Sequence, residues 1–257
     1  MEQMKQILSC VRRAVDDYGM IRESDRVAVG VSAGKDSLTL LASLATLRRF
    51  YPQPFELMAF TVDMGFPNGM DLSAVRAFCE TLEVPYRVIP TQIYEIVFEV
   101  RKEQNPCSLC AKMRRGALNT AAKEMGCTTV ALGHHFDDVV DTFMLNLFFE
   151  GRIGCFQPVT ELSRVGLRVI RPLIYLPEKR IRAFASVNEL PVVKSPCPAN
   201  GDTRREEMKQ LVNTLDRKHK GLRYRIFGAI QRGEVDGFCQ IDHPAVKGVP
   251  ENEESTE

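Results

Sequence analysis

The chain has 257 residues, 44% of them apolar, which is enough to bury a substantial core as one large domain or one domain with an appendage. No apolar run approaches the ~20 residues needed to cross a bilayer, and the N-terminus MEQMKQILSC lacks the layout of a signal segment, so a soluble cytoplasmic protein with no membrane attachment is expected. The net charge of +1 conceals an acidic tail, PENEESTE, whose removal leaves about +5 on the remainder, a mild excess that permits a nucleic-acid partner.

In chain order, MKQILSCVRRAVDDY (4–18) has apolar residues at helical spacing. RVAVGV (26–31) is a short β-branched run bounded by a glycine loop, the pattern of a buried parallel strand. After the loop, SLTLLASLATLRRF predicts a helix ended by Pro52 and Pro54, and FELMAFTVD (55–63) a second strand. AVRAFCETLE and PYRVIP predict a helix and a third strand, CAKMRRGALNTAAKEMG a helix closed near Gly126, and CTTVALG (127–133) a fourth strand. DDVVDTFMLNLFF follows as a helix. LRVIRPL (167–173) predicts a last strand, PEKRIRAFASVNEL a helix opened by Pro177, and TRREEMKQLVNTLDRKH a helix with a Thr203–Glu206 capping box.

Strands alternating with helices predict an α/β fold: a parallel twisted sheet with helices on both faces and a helical C-terminal extension. The expected divisions are an N-terminal helix (1–24), the α/β domain (25–200), a helical segment (201–240) and an acidic disordered tail (241–257). Ligands of such sheets sit beyond the carboxyl ends of the strands. Three strand ends here are polar, SAGKDS, VDMG and GHHFDD, and together make a candidate site.

The stretch GVSAGKDS (30–37) looks like a phosphate loop yet breaks the usual P-loop rule, with three residues between its glycines and Asp36 directly after Lys35. A strand, a small-residue turn and a helix start place backbone N–H groups and a positive dipole end where an anion docks. Val31, Ala33 and Gly34 supply the close backbone, Lys35 a mobile charge, and Ser32 and Ser37 hydroxyl groups. Asp36 suits the first helical turn and is a candidate magnesium ligand. The plain alternative is a turn with an ordinary cap.

Cys107 and Cys110 form a CxxC pair at a helix start, where thiolates are favoured and soft metals bind. In a reduced compartment, clustered cysteines of this kind point to metal or redox chemistry. Half of a zinc site and a dithiol or persulfide relay are the other readings. Cys10, Cys79, Cys127, Cys155 and Cys239 read as small buried apolar residues. Asp137 and Asp138 open a helix, where carboxylates are favourable, and by themselves read as plain helix-start residues. Asp63 ends the second strand, with Phe66 and Pro67 after it. Arg171 reads as a phosphate-reaching or solvent-exposed cation. Two basic stretches are candidate RNA contacts: Lys112, Arg114 and Arg115, and a run from Arg204 and Arg205 to Arg225. Tyr224 and Phe227 are candidates to stack a base.

Ser32-Ala33-Gly34-Lys35-Asp36-Ser37 resembles the SGGKDS signature of PP-loop ATP pyrophosphatases, with Ala33 at the second glycine. Those enzymes cleave ATP between the α- and β-phosphates. Pro106-Cys107-Ser108-Leu109-Cys110 with Arg114-Arg115-Gly116, and Gly133-His134-His135-Phe136-Asp137-Asp138, resemble the tRNA 2-thiocytidine synthetases and their tRNA-thiolating relatives. The similarity runs from about Val27 to about Met208. It implies a Rossmann-like PP-loop fold, ATP as substrate, Mg2+, and a [4Fe–4S] cluster on Cys107, Cys110 and Cys197. Relatives often carry a second CxxC at the last position, where this chain reads CPAN with Asn200. The resemblance also implies that Gly133 and His134 contact the nucleotide, that Asp137 and Asp138 serve magnesium or orient the substrate, that Asp63 lies beside the adenosine, and that an anticodon-loop cytidine is the target. Its implied partners are tRNA, a sulfur donor such as a cysteine desulfurase, and, by analogy, a second copy in a homodimer. A PP-loop ligase or amidotransferase acting on another acceptor is the rival within the superfamily, and an ATP-binding or iron–sulfur sensor the rival outside enzymes.

Overall fold

A computed structural model describes residues 2–102, 106–198 and 204–239. Its strands are β1 (Arg26–Gly30), β2 (Glu56–Asp63), β3 (Tyr86–Pro90), β4 (Thr129–Ala131), β5 (Val159–Leu162) and β6 (Leu167–Ile170). They form one sheet in the order β3-β2-β1-β4-β6-β5, parallel throughout except for β5, which runs antiparallel to β6 at the edge. The helices are α1 (Glu2–Asp17), α2 (Lys35–Leu47), α3 (Ser73–Thr81), α4 (Pro106–Glu124), α5 (Phe136–Phe149), α6 (Glu178–Val187), α7 (Arg204–Lys218) and α8 (Leu222–Arg232). Among the described residues no helix is long and apolar enough to cross a membrane.

Helices cover both faces of the sheet, so its central strands must be apolar on both sides. On one face, α1 contributes Ile7, Val11, Ala14 and Val15, and α2 is buried from Ser37 through Ala45. On the other, Leu118 and Ala122 of α4 pack on Ala28, Met58, Phe60, Val130 and Val169. The C-terminal extension belongs to the first core: Met208 and Val212 of α7, Phe227 and Ile230 of α8, and Phe238 are all buried there. Phe238 lies edge-on to Tyr18 and to Phe227.

The expected strands and helices are present with small shifts at their ends, and among the described residues a short 3-10 turn (Val235–Gly237) and three longer elements are additional. β5 (VTEL) is short, half polar and held only by β6. A π-helical turn spans Glu95–Val100. α8 mixes Arg223, Arg225 and Arg232 with its apolar positions, so it reads as a charged run until packing selects its buried face. α4 starts at Pro106 rather than at Cys110, because proline suits a first helical turn, and both CxxC thiols therefore lie inside the helix. The Thr203–Glu206 capping box involves a residue outside the described ones, as does the acidic tail.

At the opposite edge from the site, Asp25 and Arg168 form a buried ion pair, 2.5 Å from Oδ2 to Nη2. Asp25 also accepts from the Arg22 amide at 2.8 Å and the Thr128 hydroxyl at 2.7 Å. Removing one partner of such a pair strands the other charge away from water. Asp25→Ala should therefore cost about 3–5 kcal/mol, read as a lowered urea midpoint with little change in the slope of the transition; a shift within 0.5 kcal/mol, the range of an ordinary surface substitution, would show that the pair is solvated.

Candidate nucleotide and thiol site

The sheet order reverses between β1 and β4, with β2 and β3 on one side and β6 and β5 on the other. Such a switch point opens a crevice at the carboxyl ends of the strands. Val29 lies opposite Ala131, so the loops leaving β1 and β4 emerge side by side. They touch through their backbones: a Cβ on Gly133 would lie 3.1 Å from the Asp36 carbonyl carbon and 3.1 Å from the Ser37 nitrogen. A side chain at Gly133 would push the two loops apart.

Ser37 ties the first loop together. Its hydroxyl donates to the Gly34 carbonyl at 3.0 Å and accepts from the Ser32 amide at 3.1 Å. Its oxygen is buried within the turn, whereas Ser32 faces solvent. Ala33 sits in the left-handed region at φ 59°, with its methyl buried, and its carbonyl accepts from the Val193 amide at 3.0 Å. That bond ties the phosphate-loop candidate to the segment that carries Cys197.

Charged groups crowd the crevice. Lys35 Nζ lies 2.9 Å from Asp36 Oδ1 and 3.0 Å from Glu178 Oε1. Burial alone would lower the Lys35 pKa, but the carboxylates of Asp36 and Glu178 outweigh it and hold the ammonium charged. Glu178 Oε2 in turn meets Lys209 Nζ at 3.0 Å. Burial would raise the Glu178 pKa, yet its two lysine partners pull it down to about 2. Asp138 accepts from the His135 amide at 3.0 Å and closes a reciprocal cap on α5. Asp137 accepts from the Glu178 amide at 2.6 Å and pairs with Arg223 Nε at 3.4 Å. Arg223 also binds Asp141 at 2.8 Å, and Arg205 lies 3.6 Å from Asp138.

His134 packs its ring against Phe156, centroids 4.9 Å apart. Burial first, then the nearby Arg171 charge, push its pKa down to about 4, so the imidazole is neutral near pH 7, with a buried Nδ1 that has no protein partner. Arg171 is buried rather than exposed: it bonds the Gln157 carbonyl and the Thr160 hydroxyl and stacks over Phe156 at 5.1 Å. Asp63 accepts from the Gly65 amide at 3.0 Å and remains part-exposed at the end of β2.

The cysteines lie beyond β2. Cys110 is buried with Met64, Phe66, Ile93 and Val97, and Cys197 packs against the same apolar group. Phe66 thus lies under the thiols. Burial raises the Cys110 pKa; Arg114 opposes this, and thiolate charges at Cys197 and Cys107 would add to the rise. The three cysteines therefore share one neighbourhood, Cys107 at its exposed rim. Among the described residues no group of three or more Cys, His, Asp or Glu side chains is close enough together to hold a metal ion. The donors fit an iron–sulfur cluster in kind, being three thiols, Cys110 and Cys197 against one apolar group and Cys107 exposed beside them, although the chain does not draw them to ligating distance. Of the other cysteines, Cys79 and Cys127 are buried, while Cys10, Cys155 and Cys239 are only partly so.

Lys112, Arg114 and Arg115 are exposed on α4, and Arg204 and Arg205 on α7. Arg204 stacks over Phe149 at 5.5 Å. Tyr224 is exposed, but Phe227 is core, packed on Phe136 and Phe238, and has no free face for a base. Glu178 joins the site without a motif to announce it, the helix-opening Pro177-Glu178 being the nearest signal; His135 lies within GHHFDD but without an assigned role, and Lys209 and Arg223 lie within the basic run read as an RNA contact.

This pair of loops on a parallel sheet defines a PP-loop enzyme, and the family model for the PP-loop domain matches residues 3–215. Among curated proteins, the tRNA-cytidine(32) 2-sulfurtransferase of Geobacter sulfurreducens is 40% identical over 88% of this chain and 89% of its own length. That of Geobacter metallireducens is also 40% identical, over 89% and 90%. The U34-tRNA thiolase of Methanococcus maripaludis, solved with its [4Fe–4S] cluster, superposes with a TM-score of 0.74 at 28% identity, covering 93% of this chain and 82% of that one. The chain belongs to the tRNA-cytidine(32) 2-sulfurtransferase family.

Gly133→Ala should force the two loops apart. Overpacking costs of about 1–3 kcal/mol translate to roughly a tenfold or greater loss of ATP affinity by calorimetry, with the fold retained by circular dichroism; unaltered ATP affinity would show the contact to be incidental. Glu178 has a pKa depressed from 4.5 to about 2, so its stabilising contribution is complete above pH 4.5 and fades as pH falls toward 2. The stability gap between wild type and Glu178→Gln should be constant above pH 4.5 and narrow below it in acid-denaturation curves.

Proposed function

We propose that the chain thiolates tRNA at the expense of ATP, adenylating the C2 oxygen of a pyrimidine, cytidine 32 by analogy with its relatives, and exchanging that oxygen for sulfur. The observation that carries this reading is the junction of a phosphate-loop candidate with a thiol pocket, joined by the hydrogen bond from Val193 to Ala33. A PP-loop ligase for a non-RNA acceptor has no use for Cys107, Cys110 and Cys197 around one apolar pocket.

In the first step the C2 carbonyl oxygen attacks the α-phosphorus of ATP. The new O–P bond forms as the bond to the bridging β-oxygen breaks, and its electron pair leaves on pyrophosphate. Lys35 and the amides that open α2, from Gly34 to Ser37, are the donors for that growing charge. Asp36 and Asp138, both reaching solvent, offer the oxygen donors that Mg2+ prefers. In the second step AMP leaves C2 in exchange for sulfur. A [4Fe–4S] cluster on Cys107, Cys110 and Cys197 would supply that sulfur when bound. Neutral His134, beside Phe156, can share a hydrogen bond with the nucleotide without adding charge. The exposed cations of α4 and α7 provide a surface for the RNA backbone, whose affinity should fall steeply with salt. The target base must leave its stack to reach the crevice.

The test is anaerobic purification with iron and sulfide counts, followed by ATP-dependent thiolation of bulk tRNA and nucleoside analysis. Formation of 2-thiocytidine by iron-containing protein is expected. A colourless, iron-free preparation with full activity would transfer the sulfur step to a cysteine persulfide. Cys107→Ala should abolish sulfur insertion yet keep ATP affinity within about twofold, because the thiol lies on α4 and is not among the partners of Lys35, which are Asp36 and Glu178; unchanged thiolation would remove Cys107 from the reaction. Asp36→Ala should suppress tRNA-dependent pyrophosphate release, and normal release would remove Asp36 from the first step.

A further inference from the structure

Glu178 spans two ammonium groups with one carboxylate. Oε1 lies 3.0 Å from Lys35 Nζ, and Oε2 lies 3.0 Å from Lys209 Nζ. The two lysines come from distant parts of the chain, Lys35 from the first turn of α2 and Lys209 from the middle of α7. The Glu178 side chain is only 12% exposed, while Lys35 and Lys209 keep 26% and 29%, so both ammonium groups still reach solvent from the crevice. Its amide is anchored on Asp137 at 2.6 Å, and its Oε1 also takes Arg182 at 3.0 Å. The carboxylate is thus fixed by its backbone, and the lysines converge on it.

A carboxylate held between two convergent ammonium groups marks a place where negative charge is favoured. Lys35 belongs to the loop that faces the phosphates of ATP. Lys209 shares its carboxylate and keeps 29% of its side chain exposed. Its neighbour Arg205 meets Asp138, so α7 borders the crevice along one full turn.

We propose that Lys209 is a second cation for the β- and γ-phosphates of ATP, and that Glu178 is the positioning residue that sets the spacing of Lys35 and Lys209. The inference rests on the adenylation reading above. When ATP arrives, its phosphate oxygens share both ammonium groups with Glu178. When the bond to the α-phosphorus breaks, the electron pair left on pyrophosphate is met by two cations instead of one. Glu178 does not touch the reacting atoms; it acts through the lysines.

The experiment uses the full chain, purified anaerobically, with ATP and AMP as probes. Lys209→Met should raise the Kd for ATP by roughly ten- to a hundredfold, the worth of one hydrogen bond to a charged group, and leave the Kd for AMP, which lacks the distal phosphates, unchanged. Lys209→Arg should restore most of the ATP affinity, which a purely structural role for the α7 surface would not require. Glu178→Gln should leave ATP affinity equal or tighter, since a competing carboxylate is gone, while slowing tRNA-dependent pyrophosphate release about tenfold or more. That split between affinity and turnover separates positioning from folding, and thermal melts of each variant record the fold. Equal ATP affinity in wild type and Lys209→Met overturns the inference alone. Equal loss of ATP and AMP binding also overturns it, as does weakened tRNA binding with intact ATP binding, which would make Lys209 an RNA contact. A wild-type protein that bound no ATP would overturn the adenylation reading as well.

Discussion

The backbone contact between the loops leaving β1 and β4 is the constraint on which the rest of the site depends. It exists because the two strands are adjacent and in register at Val29 and Ala131, and because Gly133 has no side chain to hold Asp36 and Ser37 away. Once the loops touch, the first turns of α2 and α5 lie side by side. Their unpaired amides and positive dipole ends concentrate in one crevice, and the carboxylates of Asp36, Asp137 and Asp138 are stable there for the same reason. This accumulation of acids at helix starts needs compensating cations. The C-terminal extension supplies them: Lys209 and Arg205 from α7, and Arg223 from α8. An element that reads as an appendage therefore completes the electrostatics of the central site.

Much of the framework was legible because its signals are local. An apolar run followed by a small-residue loop and an apolar helix can be read within a dozen residues, and β1, its loop and α2 lie where that pattern places them. The CxxC pair is equally local, although α4 begins earlier than its apolar spacing suggests because Pro106 can open a helix. What was not legible is long-range. β5 is defined by its pairing with β6, and α8 by the burial of Phe227 and Ile230 between charged positions. Glu178 carries no signature beyond a proline before it, and its importance comes from lysines contributed by α2 and α7. Phe227 illustrates the opposite error: an aromatic among basic residues suggests base stacking, but the ring closes the core against Phe136, Tyr175 and Phe238. Arg171 departs from its solvent-exposed reading, since its guanidinium is buried and stacks over Phe156.

The thiol pocket poses a different physical problem from the charged crevice beside it. Cys110 sits among Met64, Phe66, Ile93 and Val97, where burial favours the neutral thiol and only Arg114 pulls toward the thiolate. Metal binding would have to drive the deprotonation itself, so loading and proton release are linked. The same apolar wall that disfavours the Cys110 thiolate also limits water around it, and the proposed reaction would need that, because an adenylated carbon hydrolyses unless water is excluded. The two halves of the site thus offer opposite environments, a charged one around Lys35, Asp36 and Glu178 and an apolar one around Cys110. They meet where the Val193 amide donates to the Ala33 carbonyl. A shift of the phosphate loop at that residue must either break the bond or carry the Cys197 segment with it, so the position of the loop and the position of the thiol are not independent.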